Sequence, residues 1–504
     1  MTRQPGGEAA VTGSCAAAVD AGTEILRAGG NAVDAAVATA LAACVADPCN
    51  TGIGGYGGHM VVLTPEGEGW CVDFNTFAPP GVPDDHLRTV ESRTGPAVST
   101  MPCVVAGLAA ALTRFGRLDW ARVSTPAIQA AETGVEANPT TRAAFAQVRG
   151  RNFVGETFVL EEEGDRLVFR QPALAATLRR MAEDGPGWFY DGPLAGRAAE
   201  SWRSAGLSLD PADWRAVPDA VRIAPAPRLR IADADVWSGP LGTSGSLCLF
   251  GILAAAADIG RDLRRPEGLA RLAGAMAAVW SHRFGPSGGN AVDPAGLPDW
   301  IRRALSGMPG SGPRPGDVGH TCHLNTLDHD GTMVAMTLTH GPFWFGGRWV
   351  LPGTGVVMNA GMPLFRWADP VHRGGRRFAV TNLAPTLVRC DDGTRCAAGT
   401  PGARRIPGIV ATTLARALWG GFTLPDAVSA GRLHAESRDA ATLERTRHEP
   451  AVEAAFAGRF RSVGTEEWTQ YYGPLTAIRR GADGAAELGL DDREGPGFGR
   501  VLGR

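Results

Sequence analysis

Two threonines stand at the same level of a β-hairpin that the sequence predicts. Residues 321–328 and 332–339 alternate in the manner of strands, and His329-Asp330-Gly331 is a three-residue loop with a glycine where a positive φ is needed. Counting outwards from the loop places Thr321 opposite Thr339. If the chain is cut just before Thr321, the freed α-amine can act as base for its hydroxyl, which is then a nucleophile. Threonine pairs are also common in ordinary sheets, so the spacing alone leaves a purely structural role open.

Histidines and a cysteine around the same strand offer two rival kinds of chemistry. His320, His323, His329 and His340 have conceivable metal-ligand spacing, but no Cys/His pair completes a four-ligand set. Cys322 is an alternative nucleophile, although the alternation of a strand turns it to the face opposite His323. We therefore expect no metal and favour the hydroxyl over the thiol.

The composition excludes several classes of function. The chain has 504 residues and 49 basic residues, all of them Arg. Without Lys it cannot use a P-loop, a pyridoxal-phosphate Schiff base, the kinase ion pair or a Ser-Lys dyad. A net charge of −3 lacks the polybasic character of nucleic-acid or anionic-membrane binding. The glycine-rich segment 51–58 precedes a predicted strand, whereas a phosphate cradle needs the order strand, loop, helix. We expect catalysis by protein groups alone, without a cofactor.

The hairpin needs other elements to hold it in place. Apolar spacing predicts one helix over Ala16–Ala28 and a second that begins after the N-cap Asn31 and runs to Ala46, followed by a strand over His59–Thr64. The remaining assignments are helices over 105–115, 120–134 and 247–257, a loop of Gly, Pro and Ser over 237–246, and a Gly/Pro-rich linker over 307–319. Residues 150–235 have mixed periodicity and receive no assignment.

The nine cysteines are too few for a disulfide framework, so we expect reduced thiols even if Cys44 lies near Cys49, or Cys390 near Cys396. The N-terminal residues lack the apolar segment of a secretory signal. The longest apolar run, 35–46, is shorter than the roughly 20 residues that cross a bilayer. These features favour a cytoplasmic protein.

A series of motifs resembles one enzyme family. Thr321-Cys-His-Leu-Asn-Thr-Leu-Asp-His-Asp-Gly331 resembles the threonine block that opens the small subunit of gamma-glutamyltranspeptidases. Further blocks resemble that family's N-terminal helix motif, glycine-rich block, next strand and turn, Pro/Ser/Gly loop and two small-subunit binding loops, at 28–38, 47–58, 73–79, 239–246, 381–386 and 399–406. Because the blocks follow the family order, the chain is identified as a member of it.

The resemblance implies an α+β fold, the four-layer αββα sandwich of N-terminal nucleophile hydrolases. It also implies self-cleavage into a large subunit, residues 1–320, and a small subunit, residues 321–504. The implied partners are a small-molecule substrate and the two subunits of one precursor, with no nucleic acid and no membrane.

The same resemblance assigns roles to individual residues. Thr321 is the nucleophile and Thr339 is the second threonine that supports it. Gly402 and Ala403 match the pair of backbone N–H groups that form the oxyanion hole, a function that survives a change from Gly to Ala because the donor is the backbone. His323 matches a family position that we interpret as structural.

The residues that hold a glutamyl group in the family are changed in this chain. The Arg that binds the α-carboxylate corresponds to Asn75, and the Asp that binds the α-amine corresponds to Leu364. The paired serines of the first binding loop are Thr381 and Asn382, and an Asn near the end of the second hairpin strand is Gly341. A charged fork and a carboxylate recognise an amino acid by both its ends, so a glutamyl group loses its charge pairing here.

Two assignments in this pocket stay open. Asp369 and Arg366 are near enough to Leu364 in sequence for a misalignment of a residue or two. Arg404 and Arg405 lie beside the oxyanion loop, and one of them binds either a substrate carboxylate, such as an oxalyl group, or a structural salt-bridge partner.

A retained nucleophile and an altered clamp favour a substrate other than a γ-glutamyl compound. In this respect the chain is similar to family members of the lincomycin, hormaomycin and pyrrolobenzodiazepine pathways, which remove an oxalyl unit from a tyrosine-derived intermediate by cleaving a carbon–carbon bond, on the way to an alkylproline. The resemblance predicts that reaction here. Two alternatives stay open: a γ-glutamyl hydrolase or transferase acting on glutathione-like substrates, and an inactive, uncleaved family member.

Overall fold

The computed structural model describes residues 7–164, 166–285, 292–307, 319–366, 368–437, 439–466 and 472–503. Residues 308–318 of the predicted linker lie outside this range. The α-helices of the described residues are α1 Ala16–Arg27, α2 Ala32–Ala46, α3 Asp84–Thr89, α4 Val104–Phe115, α5 Trp120–Thr133, α6 Pro139–Val148, α7 Asn152–Thr157, α8 Pro172–Asp184, α9 Trp188–Asp191, α10 Leu194–Ser204, α11 Pro211–Arg215, α12 Ser244–Ile259, α13 Pro266–Phe284, α14 Leu297–Ser306, α15 Ile406–Leu418, α16 Leu424–Ser429 and α17 Pro450–Ala457. Within these residues, no helix combines the length and the apolar character needed to cross a membrane.

The strands are shorter than most of the helices. They are β1 Ala9–Gly13, β2 Gly57–Leu63, β3 Gly69–Phe74, β4 Val135–Glu136, β5 Val159–Glu163, β6 Arg166–Arg170, β7 Arg222–Pro225, β8 Arg228–Ile231, β9 Ala234–Trp237, β10 His320–Leu327, β11 Met333–Gly341, β12 Val350–Leu351, β13 Val356–Val357, β14 Val371–Arg373, β15 Arg376–Phe378, β16 Thr386–Cys390, β17 Arg395–Gly399, β18 Leu433–Ala435, β19 Ala440–Glu444, β20 Ser462–Glu466, β21 Thr476–Arg480, β22 Ala486–Leu490 and β23 Phe498–Leu502.

The predicted elements agree with these bounds except at the loop over 237–246. The predicted helices at 16–46, 105–115 and 120–134 correspond to α1, α2, α4 and α5. Trp237 belongs to β9, and α12 begins at Ser244, so the loop is shorter than predicted. The first turn of α12 consists of small residues and packs closely against the loop that contains Asn382. A Cβ at Gly245 would lie 2.6 Å from the carbonyl carbon of Asn382, so this packing needs a glycine.

Two antiparallel sheets form the centre of the chain. The first sheet has the strand order β23-β1-β10-β11-β2-β3-β7, and the second sheet has the order β22-β21-β17-β16-β9-β8. Each sheet combines strands that precede Thr321 with strands that follow it. Neither part of the chain can therefore leave without breaking a backbone ladder in both sheets.

The hairpin of β10 and β11 has the predicted register. Thr321 lies opposite Thr339, and the pairing continues to Leu327 opposite Met333, with an irregularity between His320 and Thr321. Gly331 in the connecting loop has φ of 94°, the left-handed conformation that a three-residue hairpin loop needs.

The two faces of β10 have different surroundings. Leu327 faces the second sheet and joins an apolar cluster with Leu387 and Ile478. Cys322 and Leu324 point the other way, into a core formed with α1, α2, α4 and α5. A separate core joins α12, α13 and α15 to the outer face of the second sheet. The expected mixed class of helices and sheets is confirmed.

Helix α2 is attached to the hairpin through its N-terminus. Asn31 caps the helix as predicted, and the carboxylate of Asp34 accepts from the backbone N–H of Asn31 at 2.7 Å. Asp328, at the end of β10, accepts from the N–H of Ala32 at 3.0 Å, while the hydroxyl of Thr326 donates to the carbonyl of Ala32 at 2.6 Å. The capped start of α2, which the sequence predicted, thereby fixes the position of the strand that carries Thr321.

A buried ionic cluster fastens the segment after β22. Arg493 donates to Glu444 at 2.6 Å and to Asp491 at 2.9 Å, and Arg432 donates to Asp491 at 2.7 Å. Burial, together with the charges of Arg432 and Arg493, lowers the pKa of Arg416 to about 9. Each carboxylate here satisfies more than one guanidinium, so removal of one member leaves buried charge without its partner.

We expect Arg493→Ala to lower the free energy of unfolding by about 3–5 kcal/mol, because it leaves two buried carboxylates underpaired. Urea denaturation followed by tryptophan fluorescence measures the change. The matched control is Arg461→Ala, whose side chain is 85% exposed and pairs with Asp439 at the surface; it should cost about 0–1 kcal/mol. Equal effects of the two substitutions would contradict the structural role given to the cluster.

Candidate active site

The hydroxyl of Thr339 binds the peptide bond that precedes Thr321. It donates a short hydrogen bond to the carbonyl oxygen of His320 and accepts from the N–H of Gly341 at 2.8 Å. Thr321 itself is 6% exposed. The carbonyl that would be attacked in self-cleavage is thus polarised by the threonine that the sequence placed opposite Thr321.

Gly341 can be only a glycine at this position. Its φ is 113°, and a Cβ would lie 2.7 Å from the carbonyl oxygen of Ala360. The asparagine that the family pattern has at this position is therefore excluded by the path of the backbone.

The predicted oxyanion loop contacts the residue before His320. Gly402 has φ of 131° and Ala403 has φ of 52°, which is rare for a residue other than glycine. A Cβ on Gly319 would lie 2.8 Å from Cβ of Ala403 and 3.1 Å from its backbone nitrogen. In the uncut chain, the segment that leads to Thr321 thus lies against the backbone N–H groups expected to stabilise an oxyanion.

His323 lies two residues along the strand from Thr321, on the same face, and both of its ring nitrogens have polar partners. Nδ1 is 2.8 Å from the hydroxyl of Thr337, and Nε2 is 3.0 Å from Oδ1 of Asn325. Burial lowers the pKa of His323 to about 4, so the ring is neutral near pH 7. Its carbon edge faces Gly399, where a Cβ would lie 2.1 Å away. These contacts agree with a structural role.

Cys322 is poorly placed to be a nucleophile. It points into the helix-side core, and its Sγ lies 3.4 Å from Oγ of Ser14. Burial and nearby Asp47 raise the pKa of its thiol well above the usual range, which disfavours the reactive thiolate. All nine cysteines are free thiols.

A polar row, which sequence reasoning missed, follows His323 across the first sheet; it is buried as far as Asp73 and ends at the exposed Arg222. The β-sheet register places Thr337, His59, Asp73 and Arg222 in line with His323. Because each strand contributes a single residue to this row, the row can be recognised only once the order of the strands in the sheet is known.

The middle of this row joins two candidate binding loops. His59 Nε2 is 3.2 Å from the hydroxyl of Thr381, and its Nδ1 is 3.4 Å from Asp73. Arg373, on β14, donates to the other oxygen of Asp73 at 2.6 Å. Burial would raise the pKa of the Asp73 carboxyl, but His59 and the Arg373 guanidinium hold it below its usual range.

Asn75 lies at the edge of a cavity of about 360 Å³. Its Nδ2 donates to the carbonyl of Ala379 at 2.6 Å, and its Oδ1 accepts from the N–H of Thr76 at 2.8 Å. Arg222 of β7, Arg373 of β14 and Asp73 line the same cavity. Arg373 is paired with Asp73, so Arg222 is the arginine of this pocket that can take over the charge of the family's arginine, which is absent at position 75.

The other candidate binding residues are dispersed. Leu364 packs half-buried in an apolar cluster with Phe343. Asn382 is half-buried and follows Thr381 in the loop against α12. Nε of Arg404 lies 3.2 Å from Glu436, which supports the structural salt bridge over substrate binding.

Two carboxyl groups, also missed by sequence reasoning, line a cavity beside Thr321. Asp47 ends α2, and Glu494 follows the buried Arg493. Both border the cavity of about 50 Å³ that contains Thr321. Among the described residues, no group of three or more His, Cys, Asp or Glu is arranged to hold a metal ion.

Residues 18–295 and 301–498 match the sequence profile of the family described as Gamma-glutamyltranspeptidase. The chain belongs to this family. The glutathione hydrolase proenzyme of Pseudomonas aeruginosa is 29% identical over 95% of this chain and 92% of its own. The oxamate amidohydrolase proenzyme of Klebsiella pneumoniae is 30% identical over 93% of this chain and 94% of its own.

The fold is also similar to that of a solved structure. The cephalosporin acylase of Bacillus halodurans superimposes with a TM-score of 0.83 at 23% identity, covering 99% of this chain and 97% of the acylase. Similarity at this level of identity concerns the fold alone.

Alkylation of the native protein with iodoacetamide should modify Cys390, the one cysteine that is not fully buried, before Cys322. The reason is access, since a thiol in the packed core is shielded from reagent and its thiolate is disfavoured. Peptide mass spectrometry at pH 7.5 measures both sites. Preferential labelling of Cys322 would instead identify it as a reactive group of the site.

Proposed function

We propose that the chain is a self-cleaving hydrolase with Thr321 as its N-terminal nucleophile and residues 1–320 and 321–504 as its subunits. The observation that carries the proposal is the hydrogen bond from Thr339 to the carbonyl of His320. Both relatives above are named proenzymes, which agrees with a precursor. Helical cores on the outer faces of two packed sheets agree with the αββα sandwich of such hydrolases.

In the cleaved chain the α-amine of Thr321 takes the proton of its own hydroxyl as the oxygen attacks a substrate carbonyl. The N–H groups of Gly402 and Ala403 stabilise the oxyanion, and each donor of such a hole commonly contributes about 3–4 kcal/mol. Cleavage separates Gly319 from Thr321 and so frees the approach to this loop. Water then hydrolyses the acyl ester and restores the hydroxyl.

The substrate we propose is a compound that transfers an oxalyl group. Asn75 is committed to the backbone of Ala379 and Leu364 is surrounded by apolar side chains, so neither provides the charges that recognise a glutamyl group. The exposed Arg222, which lines the same cavity as Asn75, offers a guanidinium for a carboxylate, whereas that of Arg373 is paired with Asp73. One relative is named for oxamate, the amide of oxalic acid.

Two reactions lead to the same intermediate. Attack of Thr321 on an α-keto acid breaks the carbon–carbon bond to the rest of the molecule, which leaves as a stabilised carbanion and takes up a proton. Attack on an oxamic amide breaks the carbon–nitrogen bond and releases an amine. Both give an oxalyl ester of Thr321, and water converts it to oxalate. We favour carbon–carbon cleavage in an antibiotic pathway, with amide hydrolysis as the alternative that the relative's name supports.

Purified protein should separate on a denaturing gel into fragments of 320 and 184 residues (504 − 320 = 184), with Thr321 as a new N-terminus. Thr321→Ala should remain one chain and lose activity, because the attacking hydroxyl is gone. N-terminal sequencing of the smaller fragment checks the position of the cut.

The matched control for this experiment is Thr412→Ala, which removes a buried hydroxyl that bonds the carbonyl of Gly408 within its own helix α15 and should still be cut. Under native conditions the two fragments should elute together, since both sheets contain strands of each. A full-length, uncut protein that is active would contradict the N-terminal nucleophile mechanism, and an uncut inactive protein would favour the inactive family member.

Oxamate or an α-keto acid should yield oxalate, whereas glutathione and γ-glutamyl anilides should be turned over poorly. A missing partner for a buried charged group typically costs about 2–5 kcal/mol, a factor of roughly 30 to several thousand in binding. Asn75→Arg combined with Leu364→Asp should raise γ-glutamyl hydrolysis relative to the wild type. Enzymatic oxalate detection and p-nitroaniline release measure the two reactions.

Asn75→Gln with Leu364→Asn is the uncharged control for the double variant and should give no such gain. If the unmodified protein hydrolyses glutathione as efficiently as an ordinary family member, the altered-pocket argument is wrong and the γ-glutamyl function stands.

A further inference from the structure

The peptide bond before Thr321 borders a small polar cavity. The cavity has a volume of about 20 Å³ and is lined by His320 and Thr321 on one side and by Asn50, Thr140 and Glu494 on the other. A cavity of that size accommodates a single water molecule, provided that polar groups line it. The amide of Asn50, the hydroxyl of Thr140 and the carboxyl of Glu494 meet that condition.

The structure holds Glu494 in position from two sides. Its backbone follows Arg493, which is fixed by Glu444 and Asp491 in the buried ionic cluster. Its Oε2 accepts from the hydroxyl of Thr140 on α6 at 3.3 Å. The ionic cluster and the hydrogen bond from Thr140 therefore hold Glu494 beside the bond before Thr321.

We propose that Glu494 transfers the protons required to cleave the His320–Thr321 bond, through one water in this cavity, and that Asp47 is a positioning residue that sets the protonation of Glu494. This inference rests on the self-cleavage proposed above and names the group that drives it. Asp47 faces Glu494 across the neighbouring cavity, which Thr321 also lines.

The proton balance of the reaction needs one group that first accepts and then donates. As Oγ of Thr321 attacks the carbonyl carbon of His320, the hydroxyl proton passes to the Glu494 carboxylate, and Thr339 stabilises the oxyanion. Glu494 then returns the proton to the amide nitrogen of Thr321 while the carbon–nitrogen bond breaks, which leaves an ester. Glu494 next takes a proton from the attacking water and returns it to Oγ of Thr321 as the ester carbon–oxygen bond breaks, which restores the hydroxyl. The released His320 carboxyl group gives the second proton of the water to the new α-amine of Thr321 and becomes a carboxylate.

The surroundings of Glu494 suit it to both halves of this cycle. Burial, with the negative charges of Asp47 and Asp491 and against the hydrogen bond from Thr140, raises the pKa of Glu494 to about 7. Burial likewise raises the pKa of Asp47 to about 7, so the two carboxyls titrate as a coupled pair and the ionised form of each opposes ionisation of the other. Cys49 also faces the pair, and its thiol is neutral because burial raises its pKa well above the usual range. A carboxyl with a pKa near the working pH both accepts and donates protons readily.

The other candidate base beside the bond is His320. Burial and the charge of Arg348 lower the pKa of His320 to about 3. His323 is occupied by Thr337 and Asn325. Of the two ionisable side chains that line the small cavity at this bond, His320 and Glu494, Glu494 is thus the stronger base.

The test measures self-cleavage of freshly translated full-length chain, diluted into buffers from pH 5.5 to 9 and sampled on denaturing gels. The wild-type rate should rise with pH and level off above about pH 7. Glu494→Gln should be slower by at least about 100-fold, a typical contribution of general acid–base catalysis, and should lose the inflection. Glu494→Asp should cleave more slowly than wild type but keep an inflection.

Asp47→Asn removes one negative charge facing Glu494, so the inflection should move to lower pH. A merely structural role of Asp47 would change the rate without moving the inflection. Asp492→Asn, on the exposed side of the same segment, is the matched control and should leave both rate and profile unchanged. An uncleaved Glu494→Gln chain is tested for folding by comparing its thermal unfolding with that of Thr321→Ala. If Glu494→Gln is unfolded, the pH profiles of Glu494→Asp and Asp47→Asn decide whether Glu494 transfers the protons.

The outcomes separate this inference from the proposed function. If wild type cleaves and Glu494→Gln matches its rate and pH profile, the role of Glu494 is wrong while self-cleavage stands. An unmoved inflection in Asp47→Asn contradicts the role of Asp47. If wild type is never cut before Thr321, the proposed function fails, and this inference fails with it.

Discussion

The register of β10 on β11 is the constraint on which the candidate site depends. Successive side chains of a strand point to opposite faces, so a slip of one residue would turn Thr321 into the helix-side core and bring Cys322 between the sheets. Three features resist such a slip: the tight loop with Gly331, the apolar side chains of alternate faces, and the anchoring of Asp328 to the start of α2. The contact of Thr339 with the carbonyl of His320 exists only in this register.

The space between the two sheets changes in character along the strands. At the end near the hairpin loop, Leu327 and its neighbours make a dry apolar contact. Toward Thr321 the same faces carry His323, His59 and Asp73, each buried and each with polar partners. Because electrostatic interactions are stronger where water is excluded, the partners of each group decide its charge at this end. The ring of His323 is neutral, and the carboxylate of Asp73, on another strand of the same sheet, is ionised. The space between the two sheets is therefore an apolar core at one end and a polar region at the end that carries Thr321.

Both ends of the chain contribute to the surroundings of Thr321. Asp47 ends an N-terminal helix, whereas Glu494 comes from the C-terminal segment that the cluster of Arg493, Asp491 and Glu444 fixes. The ionic cluster is therefore more than a stabilising feature, because its position determines where Glu494 lies. Strands from before and after Thr321 also alternate in both sheets. A cut before Thr321 would therefore leave the surrounding structure assembled.

The sequence by itself determined the hairpin, the pairing of Thr321 with Thr339, the cap of α2 by Asn31 and the family. These depend on turn chemistry, alternation and ordered motifs, which are local properties of the chain. Only the tertiary structure decided the partner of Arg404, the supply of Arg222 to the pocket beside Asn75, and the meeting of Asp47 with Glu494. Each joins residues far apart in sequence, so it depends on strand order and packing. The protonation of the carboxyl groups depends in addition on burial, because the loss of water around a charge is a property of the folded chain and not of any residue alone.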